Sequence, residues 1–219
     1  NTNVGLIATK GTGTGAASST AKNSGVYTST RDSALAIYTD ESTGENTTDS
    51  TITMQNKQSV GMLGQNSSTL TNAGKIEVQK EKSAGIYGKD SNITNSGATS
   101  KGIYAKGTES VGLYSYLTTT TTDKTLANSG IIKMEGSSNQ NSAAIYSKLD
   151  IATTKKLTTA NSGNITVEQK SSVGIYAENG TSNVANSEIK NTGTINMNNE
   201  KSVGIYAPKS TITKVGKIN

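Results

Sequence analysis

Few residues in this chain can do chemistry, and they are unevenly placed. Four carboxylates, Asp40, Glu41, Glu45 and Asp49, fall close together. Hard oxygen ligands of this kind suit Ca²⁺, and two carboxylates facing each other across a cleft suit glycoside chemistry. Their spacing matches no calcium loop, and the Gly-Gly-x-Gly-x-Asp nonapeptide is missing, so a solvated acidic loop is the simpler reading. The run Gly11-Thr12-Gly13-Thr14-Gly15 carries the glycines of a phosphate loop. It lacks the Gly-Lys-Ser/Thr ending and the helix that such a loop needs. The sequence has no His and no Cys, which excludes disulfides, thiol chemistry, His–metal sites and Ser–His–Asp triads. Arg31 is its single arginine, and Trp and Phe are absent. The guanidinium forks and stacking platforms of nucleic-acid sites are therefore missing. The expectation is no catalytic residue, no cofactor and no metal, and a protein that is not an enzyme.

What remains is tyrosine. Tyr38, Tyr87, Tyr104, Tyr114, Tyr146, Tyr176 and Tyr206 each end a recurring word. Its clearest copies are Ser83-Ala84-Gly85-Ile86-Tyr87, Ser110-Val111-Gly112-Leu113-Tyr114, Ser172-Val173-Gly174-Ile175-Tyr176 and Ser202-Val203-Gly204-Ile205-Tyr206. Poorer copies are Leu35-Ala36-Ile37-Tyr38 and Lys101-Gly102-Ile103-Tyr104. A second word precedes most copies, as in Gly74-Lys75-Ile76-Glu77-Val78 and Gly163-Asn164-Ile165-Thr166-Val167, and a third ends in Asn72, Asn95, Asn128, Asn161 or Asn191. The full period runs from about 24 to about 32 residues, within the range of solenoid repeats.

The words are short, alternating, rich in β-branched residues and bounded by Asn, Ser and Gly, which reads as strands. Three strands per turn, stacked turn on turn, predict an all-β fold: a right-handed parallel β-helix, a three-sided solenoid of about eight coils spanning 1–219 as one segment. This accounts for the composition. Only 31% of residues are hydrophobic, while Ser, Thr and Asn make up about 38%, too little apolar matter for a compact core. A thin rod needs only a few inward aliphatics per turn, such as Ile165 and Val167, with Asn ladders at a corner. The Ile position is assigned inward, and the Tyr position then forms an outward ladder. The stretches from Thr9 to Lys22, Asp40 to Ser50, Tyr116 to Thr125 and Lys148 to Ala160 read as insertions leaving from one side. No cap is visible at either end, which suggests an excerpt of a longer rod.

The sequence Asn161-Ser162-Gly163-Asn164-Ile165-Thr166-Val167, followed by Ser172-Val173-Gly174-Ile175-Tyr176-Ala177, resembles the passenger repeats of large bacterial type V autotransporter adhesins. The likeness is strongest to the fusobacterial, RadD-like group, and it extends over essentially the whole chain. It implies a β-helical stalk on the cell surface, displayed by a C-terminal outer-membrane barrel, that attaches to other bacteria or to host cells. The partner implied is a host or bacterial surface protein or glycan, with no nucleic acid and with membrane contact only through that barrel. No ligand motif of the family maps onto individual residues here. A carbohydrate-binding module or a polysaccharide-active β-helix enzyme is the alternative. The turns are about twice the length of those in trimeric autotransporter heads, so a monomeric rod is expected. Tyr87, Tyr114, Tyr146, Tyr176 and Tyr206 are the candidate ligand-contact ladder. The bland alternative is that the rings simply support one another.

Overall fold

A computed structural model describes residues 3–13, 15–118, 121–136, 141–150 and 153–219. Thr14 of the glycine-rich run, Thr119 and Thr120 of the third insertion, and Ile151 and Ala152 of the fourth lie outside the described residues. Strands dominate. Among the described residues the one helical piece is a 3₁₀ turn, Val184–Asn186.

All strand pairing is parallel between successive turns, and it builds three walls. The first wall holds eight strands: Val4–Thr9, Leu35–Asp40, Val60–Gln65, Ala84–Lys89, Val111–Leu117, Ala143–Leu149, Val173–Asn179 and Val203–Tyr206. Seven complete turns separate the first of these strands from the last, roughly 34 Å at the spacing of neighbouring strands. The second wall holds Thr20–Asn23, Thr43–Asn46, Thr69–Asn72, Asn92–Asn95, Lys124–Asn128 and Leu157–Asn161. The third holds Val26–Ser29, Thr51–Met54, Lys75–Val78, Gly102–Ala105, Ile131–Met134 and Asn164–Val167. The long strand Ser187–Met197 runs through both of these walls and joins them into one sheet, and Thr211–Ile218 pairs along it with two register shifts. This is the parallel β-helix that the repeat predicts.

The core is a set of aliphatic columns. Ile37, Met62, Ile86, Leu113, Ile145 and Ile175 stack inside the first wall, and Ile52, Ile76, Ile103, Ile132, Ile165 and Ile195 inside the third, all fully buried. Each such side chain contributes about 2 kcal/mol by leaving water. In the first wall the residue before the inward aliphatic is also buried, so the strand bends there. At Gly112 an added Cβ would lie 2.5 Å from the Ala144 carbonyl oxygen and 2.7 Å from Ile132 Cγ2. The glycine is needed for this close approach between walls, although Ala36 and Ala144 fill the same place in their own turns.

Polar ladders complete the corners. Asn23, Asn46, Asn72, Asn95, Asn128, Asn161 and Asn191 form a buried chain in which each Nδ2 donates to the next Oδ1 at 2.7–2.8 Å. The expected ladder is present, and it extends to Asn23 and Asn46. At another corner the backbone N–H groups of Ser59, Ser83, Ser110, Ser142 and Ser172 each donate to the serine Oγ of the next turn at 3.2–3.4 Å. Immediately before these serines and before Ala34 and Ser202 at the same place in their turns, Ser33, Gln58, Lys82, Glu109, Asn141, Ser171 and Lys201 all have φ between 51° and 61°. Left-handed backbone is uncommon outside glycine, and its recurrence at one place in every turn marks it as part of the corner's geometry.

Two readings of the sequence are corrected. Gly102–Ala105 is a strand of the third wall, paired with Lys75–Val78 and Ile131–Met134. Tyr104 therefore sits between Glu77 and Lys133, outside the tyrosine ladder. Gly97 holds the corner place of Gly74, and four inserted residues separate it from a strand that stands where Lys75–Val78 stands one turn earlier. Most of the stretch from Asp40 to Ser50 is also not an insertion, since Thr43–Asn46 is a regular second-wall strand. Chain length between rungs varies most between first-wall and second-wall strands, from two residues after Asp40 to ten after Thr9, as expected, while 98–101 is inserted at the corner before the third wall. Leu117, Leu149 and Leu157 form a small separate apolar cluster beside this corner between the first and second walls.

Candidate functional site

The outer face of the first wall gathers the residues that the sequence singled out. Beyond the bend, alternation turns the residue after each inward aliphatic to the outside. Register aligns Ile7, Tyr38, Leu63, Tyr87, Tyr114, Tyr146, Tyr176 and Tyr206 in one column. The last five tyrosines form a continuous column with ring centroids 4.7, 4.7, 4.9 and 5.5 Å apart, stacked except for a 41° tilt between Tyr146 and Tyr176. Their rings are half-buried except at Tyr206, which is 51% exposed. Tyr38 stands apart because Leu63 separates it from Tyr87.

A parallel column runs beside the tyrosines: Val4, Leu35, Val60, Ala84, Val111, Ala143, Val173 and Val203. Between the two columns lies an open groove of about 380 Å³, lined in part by Val111, Ala143, Val173, Tyr146, Tyr176 and Tyr206. On the far side of the tyrosines a polar column begins. Tyr146 Oη donates to Glu178, whose other oxygen meets Lys148 Nζ at 3.1 Å. Tyr116 Oη donates to Asp150 at 2.7 Å, and Lys148 lies over the Tyr116 ring at 5.6 Å. The bond to Asp150 pushes the Tyr116 phenol up to about 12. Burial raises Tyr146 well above an ordinary phenol, and its bond to Glu178 adds to the effect. The same bond, reinforced by Lys148, holds Glu178 below the usual carboxylate range. These phenols stay protonated and act as fixed donors.

The acidic residues that suggested a cation site are each engaged separately. Glu41 pairs with Lys10 at 3.0 Å, Glu45 with Lys22 at 3.7 Å and Asp49 with Lys101 at 2.8 Å. Asp40 accepts from Gln65 at 3.0 Å and from Asn66 at 2.8 Å. Among the described residues no three His, Cys, Asp or Glu side chains come together as a metal site. The Gly11–Gly13 segment lines a separate polar hollow with Lys10, Asp40, Glu41 and Asn66.

A charge network that the sequence reading missed lies on the third wall. Glu77 is held by Lys75 and Lys106, both at 2.7 Å, and accepts from Gln79 at 2.9 Å. The chain of pairs continues from Lys106 to Glu135, from Glu135 to Lys133 and from Lys133 to Glu168 at 3.0–3.6 Å. Burial alone would raise the Glu77 carboxyl, but its bonds from Lys106, Lys75 and Gln79 outweigh that and hold it at about 2. The signal was present as Lys and Glu at matching places in successive second words, and only the register makes them neighbours.

Comparison with known proteins agrees with this architecture. The family model described as BigA third pectate lyase-like domain matches residues 1–146. No curated protein matches, and no solved structure does.

Proposed function

This chain belongs to the BigA third pectate lyase-like domain family, and from that membership we propose that it is a β-helical passenger segment of a bacterial surface adhesin. BigA is an autotransporter-like adhesin, and the repeat words independently resemble RadD-like passengers. Its place is then outside the cell, where the segment serves as stalk and contact surface in cell–cell or host attachment. The partner is a surface protein or glycan of another bacterium or of a host cell.

One observation carries this reading. Each turn repeats the same rungs and the same outer columns, while, among the described residues, at least ten of the sixteen carboxylates pair with lysines, most of them across turns. Glu77, Glu135 and Glu168 sit in a cross-turn ion-pair chain, and Glu178 is tied to Tyr146 and Lys148. A β-helix hosts enzymes as readily as scaffolds, but acid–base work on a polysaccharide needs carboxylates that can reach a substrate and change protonation. We therefore read the chain as presenting a surface rather than turning over a substrate.

The test is attachment. Beads coated with the chain are expected to bind bacterial or epithelial cells, and soluble chain to compete with them. Polygalacturonate and related polysaccharides are expected to remain uncleaved by the same preparation. Sugar release, or beads that bind no better than albumin-coated ones, would sink the proposal.

A further inference from the structure

We propose that the outer face of the first wall docks a second copy of this chain, antiparallel, about a two-fold axis between the strands Ala84–Lys89 and Val111–Leu117. The starting observation is compositional. Over eight rungs, the two outer columns of this wall contain only Val, Leu, Ile, Ala and Tyr. Yet about 38% of the chain is Ser, Thr or Asn. The outward columns of the other walls carry Lys, Glu, Thr and Asn, as in Lys22, Glu45 and Thr71 or Glu77, Lys133 and Thr166. A continuous apolar stripe of this kind marks a contact surface.

Ring geometry argues for a protein occupant. Tyr87, Tyr114 and Tyr146 cover one another's faces at 4.7 Å and Tyr176 leans on Tyr146 at 41°, so the stripe offers mostly ring edges and methyl groups rather than open aromatic platforms. The Tyr146 hydroxyl is already bound to Glu178, and Gln65 donates to that of Tyr38 at 2.7 Å. These polar tips lose little when water leaves.

Charge fits the antiparallel register. Lys82 and Glu109 occupy the same rim place on the two rungs that flank the axis and already pair within one chain at 3.8 Å, so the axis sets the same pair of the second copy against it with opposite charges facing. On the opposite rim, Lys89 meets the Tyr116 ring, a favourable cation–π pairing. Asp40 and Glu178 approach each other only at the far rungs. The stripe covers roughly 500 Å² on each copy, about 1,000 Å² in all, at the lower limit for a specific interface. The contact is therefore weak between free chains and is strengthened where many copies are displayed side by side. The fold stays complete in one chain, as the expected monomeric rod requires.

Sedimentation of the chain from about 10 µM to about 1 mM tests this, in the range of a weak interface. The mass is expected to rise from 22.6 kDa towards twice that value. Val111→Lys is expected to weaken association at least tenfold, while Thr166→Lys on the third wall leaves it unchanged. Lys82→Glu should also weaken it, and Lys82→Glu combined with Glu109→Lys should restore it. Both of those side chains are exposed, so the charge swap decides the matter even if Val111→Lys lowers the melting temperature. A single-chain mass throughout, association indifferent to Val111→Lys in a folded variant, or a double swap that fails to restore it would overturn the proposal. The cell-attachment assay is independent of all three outcomes.

Discussion

At the scale of the residue, this protein buries polar groups nearly as often as apolar ones. Asn128 accepts from Asn95 and donates to Asn161, both at 2.7 Å, and donates to the Gly130 carbonyl at 3.3 Å. Replacing it with Ala strands buried partners on both sides, and unsatisfied groups cost about 1–3 kcal/mol each. Asn128→Ala is expected to destabilise by about 3 kcal/mol in urea unfolding, far more than a surface Asn. Thr159 offers the converse case. It sits fully buried in a column between Leu126 and Ile189, and its hydroxyl has no hydrogen-bond partner. Thr159→Val keeps the shape and removes the orphan, so a gain of about 1 kcal/mol is expected; an unchanged or lower melting midpoint would count against the assignment. Tyr146 stacks on rings at both sides. Tyr146→Ala should cost about 1–2 kcal/mol, less than a core deletion, because one side of the ring faces water.

At the scale of the element, the third wall shows how charge couples turns. Surface ion pairs are worth little one at a time, but Glu77 is nearly buried and held from two neighbouring lysines. Its carboxyl is depressed from 4.5 to about 2 in the folded chain. The sign follows directly. The contribution is fully present above pH 4.5 and is lost as pH falls through about 2. Wild type should therefore lose melting temperature between pH 4.5 and pH 2 relative to Glu77→Gln, with the two curves running parallel above pH 5. Parallel curves across the whole range would mean that Glu77 is not held as described. The network also gives the lysine-rich composition a physical role, since many of these side chains bridge carboxylates on successive strands.

At the scale of the whole molecule, each turn packs mainly on its neighbours, with a few bonds that skip a turn such as Asp49–Lys101 at 2.8 Å, so stability is close to a sum over rungs and interfaces. A single damaged rung should uncouple the rod locally. Ile165→Asp puts a carboxylate into a dry aliphatic column between Ile132 and Ile195. Limited proteolysis should then cut around residues 150–180 and leave the preceding turns resistant; an undigested chain would show that the column tolerates charge. Larger features follow the same logic. Chain length varies most between first-wall and second-wall strands, where lengthening the chain does not disturb the register.

The sequence by itself determined the repeat, the strand content, the three-walled solenoid and the inward place of the aliphatics. All of these follow from local alternation and from identical words at near-regular spacing. It also made the Asn corner legible, because one residue type recurs before each glycine. The tertiary structure alone decided what depends on register between turns. Tyr104 reads like its fellow tyrosines, yet its strand follows the corner at Gly97 and pairs with the second word at Lys75–Val78, which puts it on another wall. Asp40–Ser50 reads as a loop because Gly44 breaks the alternation that would reveal a strand. Glu77 looks like any exposed carboxylate until stacking brings Lys106 beside it. The apolar stripe is likewise invisible along the chain, since its members lie 24 to 32 residues apart and become one surface only when the turns are stacked.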